Sequence, residues 1–218
     1  SLNDKVAEII YNTAIVGYQE MISDPSYCNQ MVCMSYPLIG NYGLTDEDYE
    51  SKRINISGMI VREYNDVPSN FRYTRTLGEV LEENDVVGIS GVDTREIIRI
   101  IRDNGSMKAL ICDIDKPLDE CMKIINEYQK PTDAVAEVSS KKVWYSRTPN
   151  PKYNVVVIDC GIKSNIIKKL NQAGCNVVVV PYNTPVEEIL KYKPNGFIIS
   201  NGPGNPYDLN EIIENIRS

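Results

Sequence analysis

The 218-residue sequence contains no histidine. Imidazole is the one side chain that titrates unperturbed near neutral pH and a common metal ligand, so no mechanism can draw on imidazole in these residues as general base or metal ligand. No C-x-x-C joins the six cysteines, Cys28, Cys33, Cys112, Cys121, Cys160 and Cys175; without paired thiolates or imidazole, a zinc site is not expected. No apolar run approaches the ~18 residues needed to cross a bilayer, and Ser1-Leu2-Asn3-Asp4 does not open a signal peptide. The phosphate-binding patterns G-x-x-x-x-G-K-[ST] and G-x-G-x-x-G are absent. Positive charge is the scarcer sign: 23 Lys and Arg against 30 Asp and Glu give a net charge of −7, which argues against a nucleic-acid partner. No repeat or low-complexity tract occurs.

What remains is an ordinary globular composition, 42% hydrophobic and 24% charged, which excludes disorder, collagen and coiled coil. The length fits one large or two modest domains. Most of the cysteines sit in apolar surroundings such as Gln30-Met31-Val32-Cys33-Met34, as buried free thiols do. Together with the lack of a secretory signal, this points to the cytoplasm.

The C-terminal third has the clearer pattern. Val155–Ile158, Val177–Val180 and Phe197–Ile199 are short apolar runs rich in β-branched residues, suited to strands covered on both faces of a parallel sheet. A helix carrying Ile162, Ile166, Ile167, Leu170 and Ala173 on one face falls between the first two and stops at Gly174. Thr184-Pro185-Val186-Glu187 predicts a capping box opening a second helix, with Val186, Ile189 and Leu190 inward. A third carries Leu209, Ile212, Ile213 and Ile216. The fold class is α/β, and this rhythm predicts the first half of a doubly wound sheet with right-handed crossovers.

Residues 1–130 form a mixed α/β domain. Strands are expected at Ala7–Tyr11, Met31–Tyr36, Ile54–Arg62, Val86–Ser90 and Met107–Cys112. Helices are expected after Thr76, after Asp93 and around Cys121–Tyr128. Residues 131–152, rich in Ser, Lys and Pro, are expected to connect this domain to 153–218. The acidic run Thr45–Glu50 is a solvated loop rather than a calcium site.

Ser200-Asn201-Gly202-Pro203-Gly204-Asn205-Pro206 follows the third parallel strand. Such a loop lets backbone N–H groups approach an anion or oxyanion; from spacing alone a tight strand-to-helix turn is the favoured reading. Cys160 also ends a strand before a helix, but it lacks the neighbouring base an activated thiol needs.

Several blocks carry a resemblance: Asn12-Thr13 with Gly17-Tyr18-Gln19-Glu20, Asp24-Pro25-Ser26-Tyr27, Tyr36-Pro37-Leu38-Ile39-Gly40-Asn41-Tyr42-Gly43, Pro68-Ser69-Asn70-Phe71-Arg72, Gly91-Val92-Asp93-Thr94-Arg95 and Ser200–Pro206. Together they resemble the small subunit of glutamine-dependent carbamoyl phosphate synthase. The resemblance implies an N-terminal small-subunit domain followed by part of a class I glutamine amidotransferase domain. It implies hydrolysis of glutamine and delivery of ammonia to a large subunit, which uses ATP and Mg to make carbamoyl phosphate for arginine and pyrimidines. It also implies that glutamine is held by Ser26, Gly202 and Gly204. The family's nucleophilic Cys, in G-x-C-x-G, and its His and Glu match nothing up to Ser218. The chain is therefore expected to carry no catalytic residue and no cofactor or metal, and to be inactive alone. Two alternatives stand beside this: a non-catalytic docking module for the large subunit, and the glutaminase of another class I amidotransferase.

Overall fold

A computed structural model describes residues 4–217, without the side chains of Glu211, Asn215 and Ile216. The chain divides into two compact units. Unit 1 comprises residues 1–23 and 29–131; unit 2 comprises residues 24–28 and 132–218.

Unit 1 contains β1 (Lys5–Asn12), α1 (Tyr18–Ser23), β2 (Gln30–Met34), β3 (Leu38–Ile39), β4 (Gly58–Ile60), β5 (Glu63–Tyr64), α2 (Leu77–Glu83), β6 (Val87–Ile89), α3 (Thr94–Asn104), β7 (Met107–Ile111) and α4 (Leu118–Glu127). Five strands form one sheet in the order β6-β4-β2-β1-β7. All neighbours are parallel except β1 and β7, which pair Lys5 with Ile111 through Ile9 with Met107. The core joins Ala7, Ile9, Met31, Cys33, Ile60, Ile101 and Ile111, with Ile97 and Ile98 of α3 packed on it. Helix α2 opens on the complete capping box of Thr76 and Glu79, and Asp93 caps α3 by accepting from the Glu96 N–H.

Two sequence blocks of unit 1 hold each other. Tyr18 stacks on Tyr42 with ring centroids 4.1 Å apart. The Tyr18 hydroxyl donates to the Gly43 carbonyl (3.0 Å), while the Tyr42 hydroxyl accepts from the N–H groups of Gly17 and Tyr18. Buried Gln19 completes the joint by accepting from the Thr45 N–H and donating to the Thr45 carbonyl. These polar groups are satisfied inside the protein, which is what makes their burial tolerable.

Unit 2 contains α5 (Ala134–Val138), β8 (Trp144–Ser146), β9 (Tyr153–Asp159), α6 (Ser164–Gln172), β10 (Cys175–Pro181), α7 (Val186–Lys191), β11 (Gly196–Ile199) and α8 (Asn210–Arg217). Its sheet runs β11-β9-β10-β8. The three β-branched runs are parallel neighbours, and β8 adds an antiparallel edge. Val156, Ile158 and Val180 face Val135, Ile189 and Ile212 on one side; Val157, Val177 and Val179 face Ile162 and Ile167 on the other. Burial on both faces, which continuous apolar strands require, holds for β9 and β10; β11, expected to be covered likewise, leaves Phe197 and Ile199 exposed.

The structure differs from the sequence expectation at several places. Of residues 131–152, expected as a connection, 132–152 carry α5 and β8 and lie within unit 2. The Thr184 hydroxyl donates back to the Pro181 carbonyl instead of capping α7, whose first turn has no side-chain cap. Leu190 is 61% exposed while Ile189 is buried, because six residues present only a narrow inward stripe. The side chain of Ile216 lies outside the described set. Among the described residues, no helix is long and apolar enough to cross a membrane.

Candidate functional site

The parallel strands of unit 2 stand in the order β11-β9-β10. The crossover from β9 to β10 moves one way along the sheet, and the next returns past β9 to β11. Open α/β sheets bind ligands where this reversal parts the loops beyond the carboxyl ends of the strands. Here those loops are Cys160-Gly161 after β9 and Ser200–Gly204 after β11.

The two loops are tied closely. Ser200 Oγ accepts from the Cys160 N–H (2.9 Å) and donates to the Asn201 carbonyl (2.7 Å). Asp159, 4% exposed, accepts from the Gly161 and Ile162 N–H groups through Oδ1 and from the Ser140 N–H through Oδ2, each at 2.9 Å. At Gly202 a Cβ would lie 2.1 Å from the Cys160 carbonyl oxygen, so only glycine permits this approach. Gly204 is needed for a different reason, its φ of +80°. Gly202, Pro203 and Gly204 line a cleft of about 230 Å³ with Val135, Cys160 and Ile199.

Residues 24–28 belong to this unit and bring in Ser26. Asp24 Oδ1 accepts from the Ser26 N–H (2.9 Å), shaping a 3₁₀ turn over Pro25–Tyr27. Lys163, before α6, pairs with the nearly buried Asp24 carboxylate. Asn201 then bridges: its Nδ2 donates to Ser26 Oγ (2.8 Å) and to the Gly161 carbonyl (3.2 Å). A carbonyl only accepts, so the amide cannot be turned over without losing that bond. Asn201 Oδ1 is left buried with no partner among the described residues. A buried acceptor without a donor costs about 1–3 kcal/mol.

Of the residues singled out from sequence, Ser26 is joined through Asn201 to the loop carrying Gly202 and Gly204, and both glycines line the cleft. Asn201 and Asp24 were not singled out as functional, although each lies in a quoted motif; only the fold shows that one reaches Ser26 and the other shapes its turn. Cys160 is 4% exposed, and burial, with the Asp159 charge beside it, pushes its thiol up to about 11. About one thiol in ten thousand is then ionised at pH 7. Alkylation of Cys160 in the folded chain should therefore be slow at pH 7 and accelerate as pH rises towards 11. Peptide mapping after iodoacetamide treatment checks this; labelling at pH 7 as fast as that of free cysteine would show that Cys160 is accessible and activated.

Two family matches divide the chain. Residues 1–111 match the family described as carbamoyl-phosphate synthase small chain, CPSase domain, and residues 156–218 match glutamine amidotransferase class-I. Among curated proteins, the carbamoyl phosphate synthase pyrimidine-specific small chain of Halalkalibacterium halodurans is 44% identical over 211 residues, covering 97% of this chain and 58% of that protein. The protein of the same name from Bacillus subtilis is 42% identical over 217 residues, covering 100% of this chain and 59% of its own length. The carbamoyl phosphate synthase small chain of Fusobacterium nucleatum is 43% identical over 214 residues, at 98% and 59% coverage. The chain thus spans rather less than two thirds of these relatives.

Proposed function

Since the chain belongs to the carbamoyl-phosphate synthase small-chain family, with an amidotransferase segment after the family's own domain, we propose that it forms part of a glutamine-hydrolysing subunit, with the switch-point loops of unit 2 as one side of the glutamine cradle. The observation that carries this reading is Asn201, which holds Ser26 against the Gly-Pro-Gly loop while keeping a buried, unpartnered oxygen of its own.

Glutamine offers an ammonium, a carboxylate and a carboxamide. Ser26 Oγ and Asn201 Oδ1 supply acceptors and, through the hydroxyl, a donor. Gly202 and Gly204 bring backbone close enough to donate N–H groups, the kind of group that stabilises the oxyanion formed when a nucleophile attacks the side-chain amide. Each such donor is worth about 3 kcal/mol in the barrier. The nucleophilic Cys and the His and Glu that would activate it are not among these 218 residues, and Cys160, buried and protonated, does not replace them. Ammonia released by the complete subunit would pass to a large subunit, the expected partner, which holds ATP and Mg for carbamoyl phosphate synthesis serving arginine and pyrimidine formation. Such a subunit would work in the cytoplasm.

In a coupled assay for ammonia, the purified 218-residue chain should release none from glutamine above the buffer rate. Release that disappears on thiol alkylation would overturn the assignment of the chemistry to residues outside this chain.

A further inference from the structure

Cys112 directly follows β7, and Cys121 is the fourth residue of α4. Both belong to unit 1, both are half-buried, and their Sγ atoms lie 3.7 Å apart. The other thiols differ. Cys33, Cys160 and Cys175 are buried, and the Cys28 thiol donates to the Glu137 carboxylate. At 3.7 Å two sulfurs are in van der Waals contact, about 1.7 Å beyond a covalent S–S bond.

That gap can close cheaply. Helix α4 buries no residue fully, and its first turn has no side-chain cap. Ile114 and Leu118, in the segment between the cysteines, are 98% and 75% exposed. A small displacement of the first turn of α4 towards β7 therefore disrupts little packing. Among the described residues, the Cys121 thiol gives up a weak contact of 3.9 Å to the Lys116 carbonyl, and the exposed Lys116–Glu120 pair of the same turn must follow the movement.

We propose that Cys112 and Cys121 form a thiol–disulfide modification site whose co-reactant is a hydroperoxide, with hydrogen peroxide the simplest member of the class. With hydrogen peroxide, one sulfur, as thiolate, attacks a peroxide oxygen; the S–O bond forms as the O–O bond breaks, and the departing hydroxide takes the proton that thiol gave up and leaves as water. The second sulfur then attacks the sulfenic sulfur, forming the S–S bond and expelling hydroxide, which leaves as water with the second thiol's proton. Two thiols are oxidised, one peroxide is reduced, and two waters are released. The bond would fix the start of α4 to the end of β7. This proposal does not depend on the glutamine site.

The test uses the full chain, folded, exposed to hydrogen peroxide alongside glutathione as a control thiol, then denatured and alkylated. Digestion with an Asp-specific protease cuts between the two cysteines at Asp113, Asp115 and Asp119. The expected result is a fall from six alkylatable thiols to four, with one linked peptide pair containing Cys112 and Cys121 that dithiothreitol separates. Cys112→Ser and Cys121→Ser should each abolish the pair; the wild-type map stands whether or not those variants fold. Six free thiols remaining after the glutathione is oxidised would overturn the proposal. So would links to other cysteines, or conversion of Cys112 or Cys121 to sulfinic acid without a link.

Discussion

Replacing Gly202 by alanine is expected to lower the melting temperature of unit 2 by about 10–20 °C, the shift that ~3 kcal/mol produces in a unit of this size. The added Cβ would lie 2.1 Å from the carbonyl oxygen of Cys160 and 2.9 Å from its carbon. Both are backbone atoms at the end of β9, so no side chain can swing aside to make room. Relief requires the β9 and β11 loops to separate, which strains the Ser200–Cys160 bond and draws Asn201 from Ser26. Two other glycines grade the effect. Gly204→Ala meets nothing nearer than 4.0 Å but must hold φ at +80°, an expected cost of about 1–2 kcal/mol. Gly196→Ala, in β11, faces open space and should be neutral or slightly stabilising, since alanine loses less backbone entropy than glycine on folding. Differential scanning calorimetry of the three variants checks the order. Equal stability of Gly202→Ala and Gly196→Ala would mean that the two loops do not touch.

Asp159→Ala should cost about 3–5 kcal/mol in urea denaturation, among the largest effects of any polar substitution in unit 2. The carboxylate is buried and accepts from three backbone N–H groups. Removing it leaves all three donors without an acceptor in a turn that water reaches poorly. Asp159→Asn separates charge from hydrogen bonding. Its Oδ1 can still serve Gly161 and Ile162, but an amide nitrogen would face the Ser140 N–H, donor against donor, at about 1–3 kcal/mol. The order of stability should be wild type, then Asn, then Ala. In Asp159→Asn, alkylation of Cys160 should also begin at lower pH, because the negative charge that helps raise its thiol is gone. An alanine variant within about 0.5 kcal/mol of wild type, the usual range for neutral surface changes, would show that water replaces the carboxylate.

How much could be read from the residues depends on how local each determinant is. Val155–Ile158 and Val177–Val180 announce β9 and β10 because a strand buried on both faces must be apolar at every position; Phe197–Ile199 forms β11 although Phe197 and Ile199 are exposed. Thr76, Asp93 and Gly105 mark the ends of α2 and α3 by cap chemistry confined to a few residues. Edge strand β8 was hidden for the opposite reason: Trp144 and Tyr145 are 38% and 55% exposed, so three residues beside lysines, serine and arginine carry no burial pattern. The two-residue strands β3 and β5 are shorter than any alternation could register.

The site was legible in parts. Ser26, Gly202 and Gly204 stand in motifs, but their meeting depends on residues 24–28 folding into unit 2 while their chain neighbours fold into unit 1. Nothing local in Asp24-Pro25-Ser26 encodes a partner 175 positions away. The need for glycine at 202 was visible as a Gly-Pro-Gly pattern; its cause, the Cys160 carbonyl, was not.

The most direct test of the cradle is a ¹H–¹⁵N titration of the chain with L-glutamine, the side-chain amides included. Because the proposed cradle supplies one side of a glutamine site, binding should be weak, in the millimolar range. The expected result is saturable shifts of the Ser26, Gly202 and Gly204 backbone amides and of the Asn201 side-chain NH₂, reduced in Asn201→Ala. Saturable shifts confined to other residues, or none up to tens of millimolar glutamine, would contradict a glutamine cradle at the β9–β11 switch point.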